Sequence, residues 1–574
     1  MSSLLALVAT PILLIPQVDP TGPGPDSARV LDAARSAQAE FERIRRDYAP
    51  SVLGGGGGRC DEVVGRFCFW HGGDDDWDPP PEHARIVAGR GRLIRRLDSL
   101  GGLSPGDEWI VGQLVRYLVE AGRLEEATAT AGSCRATPWW CGALQGYVHH
   151  AAQRFARADS AFASALALAP QALRCDWNDL SVILEHVPRA YRRASCADRA
   201  DLEARLWWLA DPLYLIPGNE RRTEHYARRV LGRLQDRARS GHDVRWGSDL
   251  DQLLVRYGWP VGWERDASRG HAGAGTSVIS HHAPRARAFL PPRGVAEEPG
   301  TLVPEDWDLD PARPRSNYAP AYARWFDPLK DAQVAWFRRQ DSAVIVAAFD
   351  PRNADANAVE GQRPGKSAEA ALVFAPAPPA PATVGRDAGI GPFRLSVTVP
   401  WAPGVVSLEA LTQGDSARAV RTRWWLPMAA DMGLAMSPPL LFDPGDQDSV
   451  PGTLEELFPR IRPSSVVQPG DRLGVYWETR NWGTQATAHV TVTVARAGAS
   501  WLSRAARTLG LGGADPPAVS LGWTENLNDS GGVMARSLVL GLPEGPGGAY
   551  LLRIEMRVGA DTATAERRLT VAGR

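Results

Sequence analysis

"RWGSDLDQLLVRYGWPVGW", Arg245 to Trp263, marks the point at which the chain changes character. It holds three tryptophans, Trp246, Trp259 and Trp263, and two acids, Asp249 and Asp251. Ser248 or Asp249 can cap a helical turn that starts at Leu250. Leu253 and Leu254 point inward, and Gly258-Trp259-Pro260 forces a turn. A short helix and a tight turn explain every residue here except the density of tryptophan.

Upstream, apolar residues recur at helical spacing. Asn219 is a suitable N-cap after "IPG", and Tyr226, Val230 and Leu234 form a stripe four residues apart. Glu224 stands one turn before Arg228, which predicts a helical ion pair. From about Glu82 to Ala204 the helical pattern dominates. Gly146, Ala158, Phe162, Ala165 and Pro170 sit at offsets that resemble a tetratricopeptide repeat, with Gly122 and Ala127 marking a degenerate copy before it. Two weak repeats are too few for a solenoid, so flanking helices must cap them. An earlier helix is read from Val30, Ala34, Ala37, Phe41, Ile44 and Tyr48, with Asp26 or Ser27 as its cap. Gly54–Gly58 is a flexible linker, without the Lys-Ser/Thr of a phosphate loop. Asp74–Asp76 lacks the alternating spacing of a calcium loop and reads as a solvated turn.

Downstream, the small, polar and proline-broken stretch 269–332 reads as a loop linker. Short strands follow, and "HVTVTVA" and "LLRIEMRV" alternate as half-buried antiparallel strands do. The expected order is a signal-like apolar segment and spacer (1–25), a disulfide-braced, TPR-like helical domain (26–200), an α-rich segment (201–268), the linker (269–332), a first β module (333–428) and a second (429–574). The fold class is multidomain α then β, ending in two antiparallel β-sandwich-like modules.

Composition bounds the partners. At 574 residues the chain exceeds one core. A formal net charge of −2 gives no global pull toward nucleic acid or an anionic membrane. Of 64 basic residues only Lys330 and Lys366 are lysines. The 66 balancing acids favour a coding bias over phosphate binding as the reason. The uncharged run Leu4–Pro16 is too short to span a bilayer and suits the core of a secretory signal, although no Lys or Arg precedes it and no cleavage site is obvious. All six cysteines fall in the first 200 residues as local pairs, Cys60/Cys68, Cys134/Cys141 and Cys175/Cys196, and none forms a CxxC. Local disulfides and an extracytoplasmic, periplasmic or secreted location follow. Buried free thiols in a cytoplasmic protein are the alternative.

One resemblance is specific. "LWWLADPLYLIPGNERRTEHYARRVLGRL" followed by "RWGSDLDQLLVRYGWP" resembles the GWxTD family of exported bacterial proteins. Trp207, Trp208, Asp211 and Pro212 match its first element. Asn219, Glu220, Glu224 and Arg228 match its helix; Trp246, Ser248 and Asp249 match the motif, and Tyr257, Gly258 and Pro260 its turn. Arg245 replaces the family glycine and Ser248 its threonine. The match covers roughly residues 200–265, and 430–574 more loosely. It implies export and architecture and brings no reaction with it.

Acid–base chemistry needs groups within hydrogen-bond reach of one substrate proton, and Asp249, His225 and Glu224 are the set that could supply them. The competing reading makes Asp249 a cap and pairs Glu224 and His225 with Arg228 and Arg229, and it is favoured. No G-x-S-x-G or H-E-x-x-H occurs. His149–His150 and His281–His282 place adjacent rings on different faces, so no metal and no cofactor is expected. Among 21 tryptophans, pairs such as Trp139–Trp140, Trp207–Trp208 and Trp424–Trp425 are read as core, with Trp259 and Trp263 the best placed for exposure. The reading is therefore a non-catalytic binding or scaffold protein of the cell envelope. Its partner is a protein or an envelope glycan, with no nucleic acid and no membrane span beyond the N-terminal signal. A hydrolase at Asp249, His225 and Glu224, or a carbohydrate binder using exposed tryptophan, is the alternative.

Overall fold

A computed structural model of the chain describes residues 25–52, 60–71, 77–266, 277–291, 304–354, 367–378, 380–414, 417–426, 433–445, 450–480, 487–497, 519–527, 532–542 and 546–573. The signal-like run, Gly54–Gly58 and Asp74–Asp76 lie outside the described residues. Helices fill the first half: α1 (Pro25–Tyr48), α2 (Ala84–Leu103), α3 (Glu108–Glu120), α4 (Leu124–Gly132), α5 (Pro138–Ala151), α6 (Phe155–Leu168), α7 (Gln171–Asn178), α8 (Arg189–Arg193), α9 (Ala200–Ala210), α10 (Glu220–Gln235) and α11 (Ser248–Tyr257). Helix α1 starts at Pro25, so Asp26 and Ser27 lie inside its first turn rather than capping it, since proline's fixed φ suits a first helical position.

Small residues set the close approach of α5 and α6. A Cβ on Gly146 would lie 2.7 Å from the Phe162 ring, and one on Gly142 would lie 3.2 Å from Ala165. One apolar core runs through α1 to α6 and takes in Tyr226, Val230 and Leu234 of α10 and Leu254 of α11. The boundary expected at residue 200 therefore does not separate two cores. Disulfides join Cys60 to Cys68, Cys134 to Cys141 and Cys175 to Cys196, the three local pairs.

Strands fill the second half, in mixed sheets. Thr383–Gly389, Ala368–Pro376, Gly404–Thr412, Arg418–Leu426 and Trp325–Pro328 form five neighbouring strands, and Phe393–Pro400, Ser342–Phe349 and Ala332–Arg339 form three. Side chains of both sheets, among them Ile345, Leu372, Phe374, Val397 and Leu408, make one apolar cluster. A second cluster, with Trp477, Val490, Val492, Leu552 and Ile554, joins a sheet centred on Arg472–Arg480 to the sheet of Thr487–Arg496, Gly548–Val558 and Asp561–Val571. The alternation read in "HVTVTVA" is real: Val490, Val492 and Val494 are buried and His489 is exposed. The sheets are not wholly antiparallel, because Trp325–Pro328 runs parallel to Arg418–Leu426 and Val466–Val467 parallel to Asp561–Val571. Long connections bring these short edge strands in from elsewhere in the chain, where a hairpin cannot.

The expected linker 269–332 is more ordered than its composition suggests. Ser277–His281 pairs with Gly262–Asp266, so His281 ends a strand rather than sitting in a loop. Phe289, Leu309, Tyr318 and Phe326 pack with Leu213 and Leu215 against Ala371, Val373 and Ala419 of the five-stranded sheet. These apolar residues follow no regular period, so only tertiary packing reveals their role. No described helix is long and apolar enough to cross a membrane.

Candidate functional site

Strands Glu62–Val64 and Phe67–Phe69 form a hairpin clasped by Cys60–Cys68, and its tip meets α11. Gly65 occupies the left-handed region at φ +56°, and a Cβ there would lie 2.5 Å from Asp249 Cβ. The next residue, Arg66, donates from Nε to Asp249 Oδ2 at 2.6 Å and from Nη2 to Oδ1 at 2.8 Å. Its backbone N–H adds a bond to Oδ2 at 3.2 Å, and Leu250 N–H donates to Oδ1 at 2.9 Å. This forked pairing with Arg66 holds the Asp249 carboxyl well below the usual carboxylate range, against a smaller effect of burial. Helix α11 starts at Ser248 with Gly247 as a cap that offers no side chain, so neither Ser248 nor Asp249 caps it from outside. Asp249 anchors the hairpin instead.

Glu62, on the same hairpin, accepts from Arg256 at 2.6 Å and from the Tyr257 hydroxyl at 2.8 Å. Burial opposes its ionisation, but the Tyr257 hydrogen bond and the charges of Arg256 and Arg315 outweigh it, and its carboxyl stays lowered. Tyr257 also stacks on Phe69 with ring centroids 3.9 Å apart. Gly258 follows at φ +86°, where a Cβ would meet the Arg228 guanidinium at 3.1 Å. Arg228 reaches the end of α11, donating to the carbonyls of Val255 at 3.0 Å and Arg256 at 2.8 Å, and to Asn317 O at 2.8 Å. Pro260 follows in the turn, half-buried.

Helix α10 carries the matched residues Glu220, Glu224 and Arg228. Asn219 caps it, accepting from Arg222 N–H at 2.8 Å. Glu224 pairs with Arg228 at 2.6 Å and with His150 Nε2 at 2.7 Å. This ion pair is buried, unlike the surface pair its spacing suggests. Burial disfavours the charge, yet Arg228 and His150 keep the Glu224 carboxyl well below its ordinary range. The pair borders a cavity of about 260 Å³ that Tyr147, Trp259 and Tyr318 also line. His150 Nδ1 lies 2.9 Å from Thr223 Oγ1. With both ring nitrogens engaged, His150 has none left for a substrate proton.

His225, the next residue on α10, is fully buried with Nε2 2.8 Å from Trp177 O. Burial lowers its pKa well below the ordinary histidine value. Arg229, its expected partner, donates instead to Asp179 O at 3.2 Å. Asp249, His225 and Glu224 thus take different partners and make no hydrogen bond or ion pair with one another. His281 pairs with Glu264 at 2.9 Å, and among the described residues no group of His, Cys, Asp and Glu could hold a metal ion. Trp259 and Trp263 are half-buried rather than exposed: Arg116 lies 4.7 Å from the Trp259 ring centroid, and Trp263 packs on His242 at 4.9 Å. Trp140 and Trp207 are core.

Sequence reasoning missed a buried charged cluster that joins the two halves. Arg421 and Arg423 project from a β-strand onto the chain leaving α9. Arg421 Nη1 donates to the carbonyls of Asp211 and Pro212, both at 2.8 Å, and Arg423 Nη1 donates to Leu209 O at 3.0 Å. Glu409 accepts from the backbone of Tyr214 at 3.2 Å and Leu215 at 2.8 Å. Beside them, burial pushes the Glu220 carboxyl up to about 8 while Tyr322 donates to it at 2.6 Å. Burial also brings Arg421 down to about 9 and raises Asp211 well above the carboxylate range. The sole sequence signal was charge inside "VVSLEALT" and "RAVRTRWWL", apolar strands in which Glu or Arg demands a buried partner.

No family model and no curated protein matches the chain. Solved structures with some likeness include a red sea bream transglutaminase (9% identity, 42% of this chain and 31% of that one, TM-score 0.14). A Salmonella alpha-2-macroglobulin mutant (9% identity, 41% and 23%, TM-score 0.19) and a Bacteroides uniformis beta-glucuronidase (9% identity, 41% and 26%, TM-score 0.14) are similar to the same degree. The chain spans a third or less of the length of each, and scores this low carry no statement about fold or function.

Proposed function

We propose that this chain is an exported, non-catalytic binding or scaffold protein of the bacterial cell envelope and a diverged relative of the GWxTD group. The observation that carries this reading is the separate structural commitment of Asp249, His225 and Glu224. Each of these three residues is held by a partner within the fold, and Asp249 and His225 border none of the cavities described. The matched positions instead form joints: Asp249 to the hairpin, Arg228 to the turn, and Asp211-Pro212 to the β half. The α3–α4 and α5–α6 pairs fit a short TPR-like layer, and the paired sheets fit two β-sandwich modules, architectures that hold partners. Three disulfides among six cysteines fit an oxidising compartment.

The test is expression of the full chain in a bacterial host, with fractionation, thiol alkylation and in-cell cross-linking. The chain is expected outside the cytoplasm with its cysteines unreactive, cross-linked to a defined envelope protein or glycan, and without turnover of ester, glycoside or peptide substrates. Turnover abolished by Asp249→Asn or Glu224→Gln in protein that remains folded at the assay temperature would establish the hydrolase reading instead.

A further inference from the structure

A cleft of about 480 Å³ lies between α1 and the segment that follows α10. Its walls carry four arginines, Arg35, Arg237, Arg239 and Arg245, and no acid is among its lining residues. That is unusual in a chain with slightly more acids than bases, where most buried or bridging arginines are paired. Arg239 and Arg245 are exposed and make no ion pair with any described residue. Arg237 lies 4.0 Å from Asp236, with both side chains about three-quarters exposed, and Arg35 lies 3.7 Å from Asp32. Contacts this long and open leave the guanidinium donors free for another acceptor. Arg35 Nε is buried and has no hydrogen-bond partner.

The backbone of the segment is built to hold this geometry. Arg237 and Asp243 adopt the left-handed region at φ 60° and φ 58°, which costs non-glycine residues free energy and persists where the surroundings impose it. Between them, Gln38 of α1 holds the backbone of Arg239, accepting from its N–H at 3.0 Å and donating to its carbonyl at 2.9 Å. Asp243, a further acid of the segment, pairs with Arg46 at 2.6 Å and is not a cleft residue. At the far end, Arg245 O accepts from Arg66 Nη2 at 2.9 Å, so the backbone of Arg245 is tied to the hairpin while its side chain stays in the cleft.

Planar guanidinium forks supplied by two elements lining one cleft match an acceptor with several oxygens in a tetrahedron better than a lone carboxylate, whose two oxygens one fork satisfies. The cleft is also wider than a bare oxyanion. We propose that it binds a phosphate-type oxyanion borne on a small polar body, such as a phosphorylated sugar, held by Arg35, Arg237, Arg239 and Arg245. This inference is independent of whether the rest of the chain is a scaffold or a hydrolase.

The test uses the full chain, thermal unfolding and calorimetry, with inorganic phosphate and glucose 6-phosphate compared against chloride at equal ionic strength. Glucose 6-phosphate is expected to raise Tm by a few degrees. The double variant Arg239→Ser, Arg245→Ser is expected to weaken binding at least about tenfold, the loss of one charge-assisted fork. The charge-matched variant Arg192→Ser, Arg193→Ser, on the exposed face of α8, should retain the full response. Arg239 and Arg245 contribute exposed side chains, so Tm without ligand reports that the double variant folds. A response to both phosphates assigns recognition to the oxyanion; a response to the sugar phosphate alone assigns part of it to the carrying body, and both support the proposal. No response, an equal response in all three proteins, or binding to phosphatidylglycerol vesicles alone would overturn it.

Discussion

Asp249 shows how fully one carboxylate can be engaged by the fold around it. Its two oxygens take the Arg66 fork, two backbone amides complete the shell, and Gly65 sits so close that a methyl group cannot enter. Gly65→Ala should therefore both strain a left-handed residue and push the hairpin off α11. A cost of about 1–3 kcal/mol is expected, read as a lower urea midpoint. The Asp249 pKa is depressed in the folded state, so its contribution is present above the unfolded value near about 4 and is lost as pH falls through the folded value. Acid titration of stability should accordingly be shallower in Asp249→Asn, which also loses about 1 kcal/mol at neutral pH. An unchanged acid limb in that variant would disprove the latch.

Between residue and domain, each element shows what local pattern can and cannot reveal. The amphipathic helices, the Asn219 cap and the alternating strands were legible because each depends on neighbours a few positions away. Local disulfides were legible for the same reason. Cys175–Cys196 closes a loop 21 residues apart in sequence across α8, a segment with few turns of its own. Cys175→Ser with Cys196→Ser is expected to cost about 3 kcal/mol and to expose α8 first to limited proteolysis. Harder to read were the partners of α11. Arg66 lies 183 positions from Asp249 and Glu62 lies 194 from Arg256, distances over which no periodicity operates. The apolar residues Phe289, Leu309, Tyr318 and Phe326 inside 269–332 escaped notice because they are irregularly spaced and are buried by a sheet formed later in the chain.

Taken whole, the molecule is joined by charge as much as by apolar surface. Arg423 is fully buried, 3.5 Å from Glu409, and holds carbonyls at the end of α9. Arg423→Ala would leave Glu409 and those carbonyls short of a partner, at a cost of about 3 kcal/mol or more. Unfolding in urea should then resolve into separate helical and β transitions, and a single unchanged transition would contradict the joint. The same interface predicts a pH dependence of opposite sign to that of Asp249. Glu220 has its pKa raised from 4.5 to about 8 by burial, so its contribution is full below about 4.5 and declines as pH rises toward 8. Glu220→Gln should remove that decline, measured as Tm across this range. By itself the sequence determined the order of helices before strands and the local cysteine pairs, because near-neighbour spacing encodes them. Only the tertiary structure decided what the charged residues do. The cost of burying a charge is set by whichever distant group folds against it, and that group is nowhere near in the sequence.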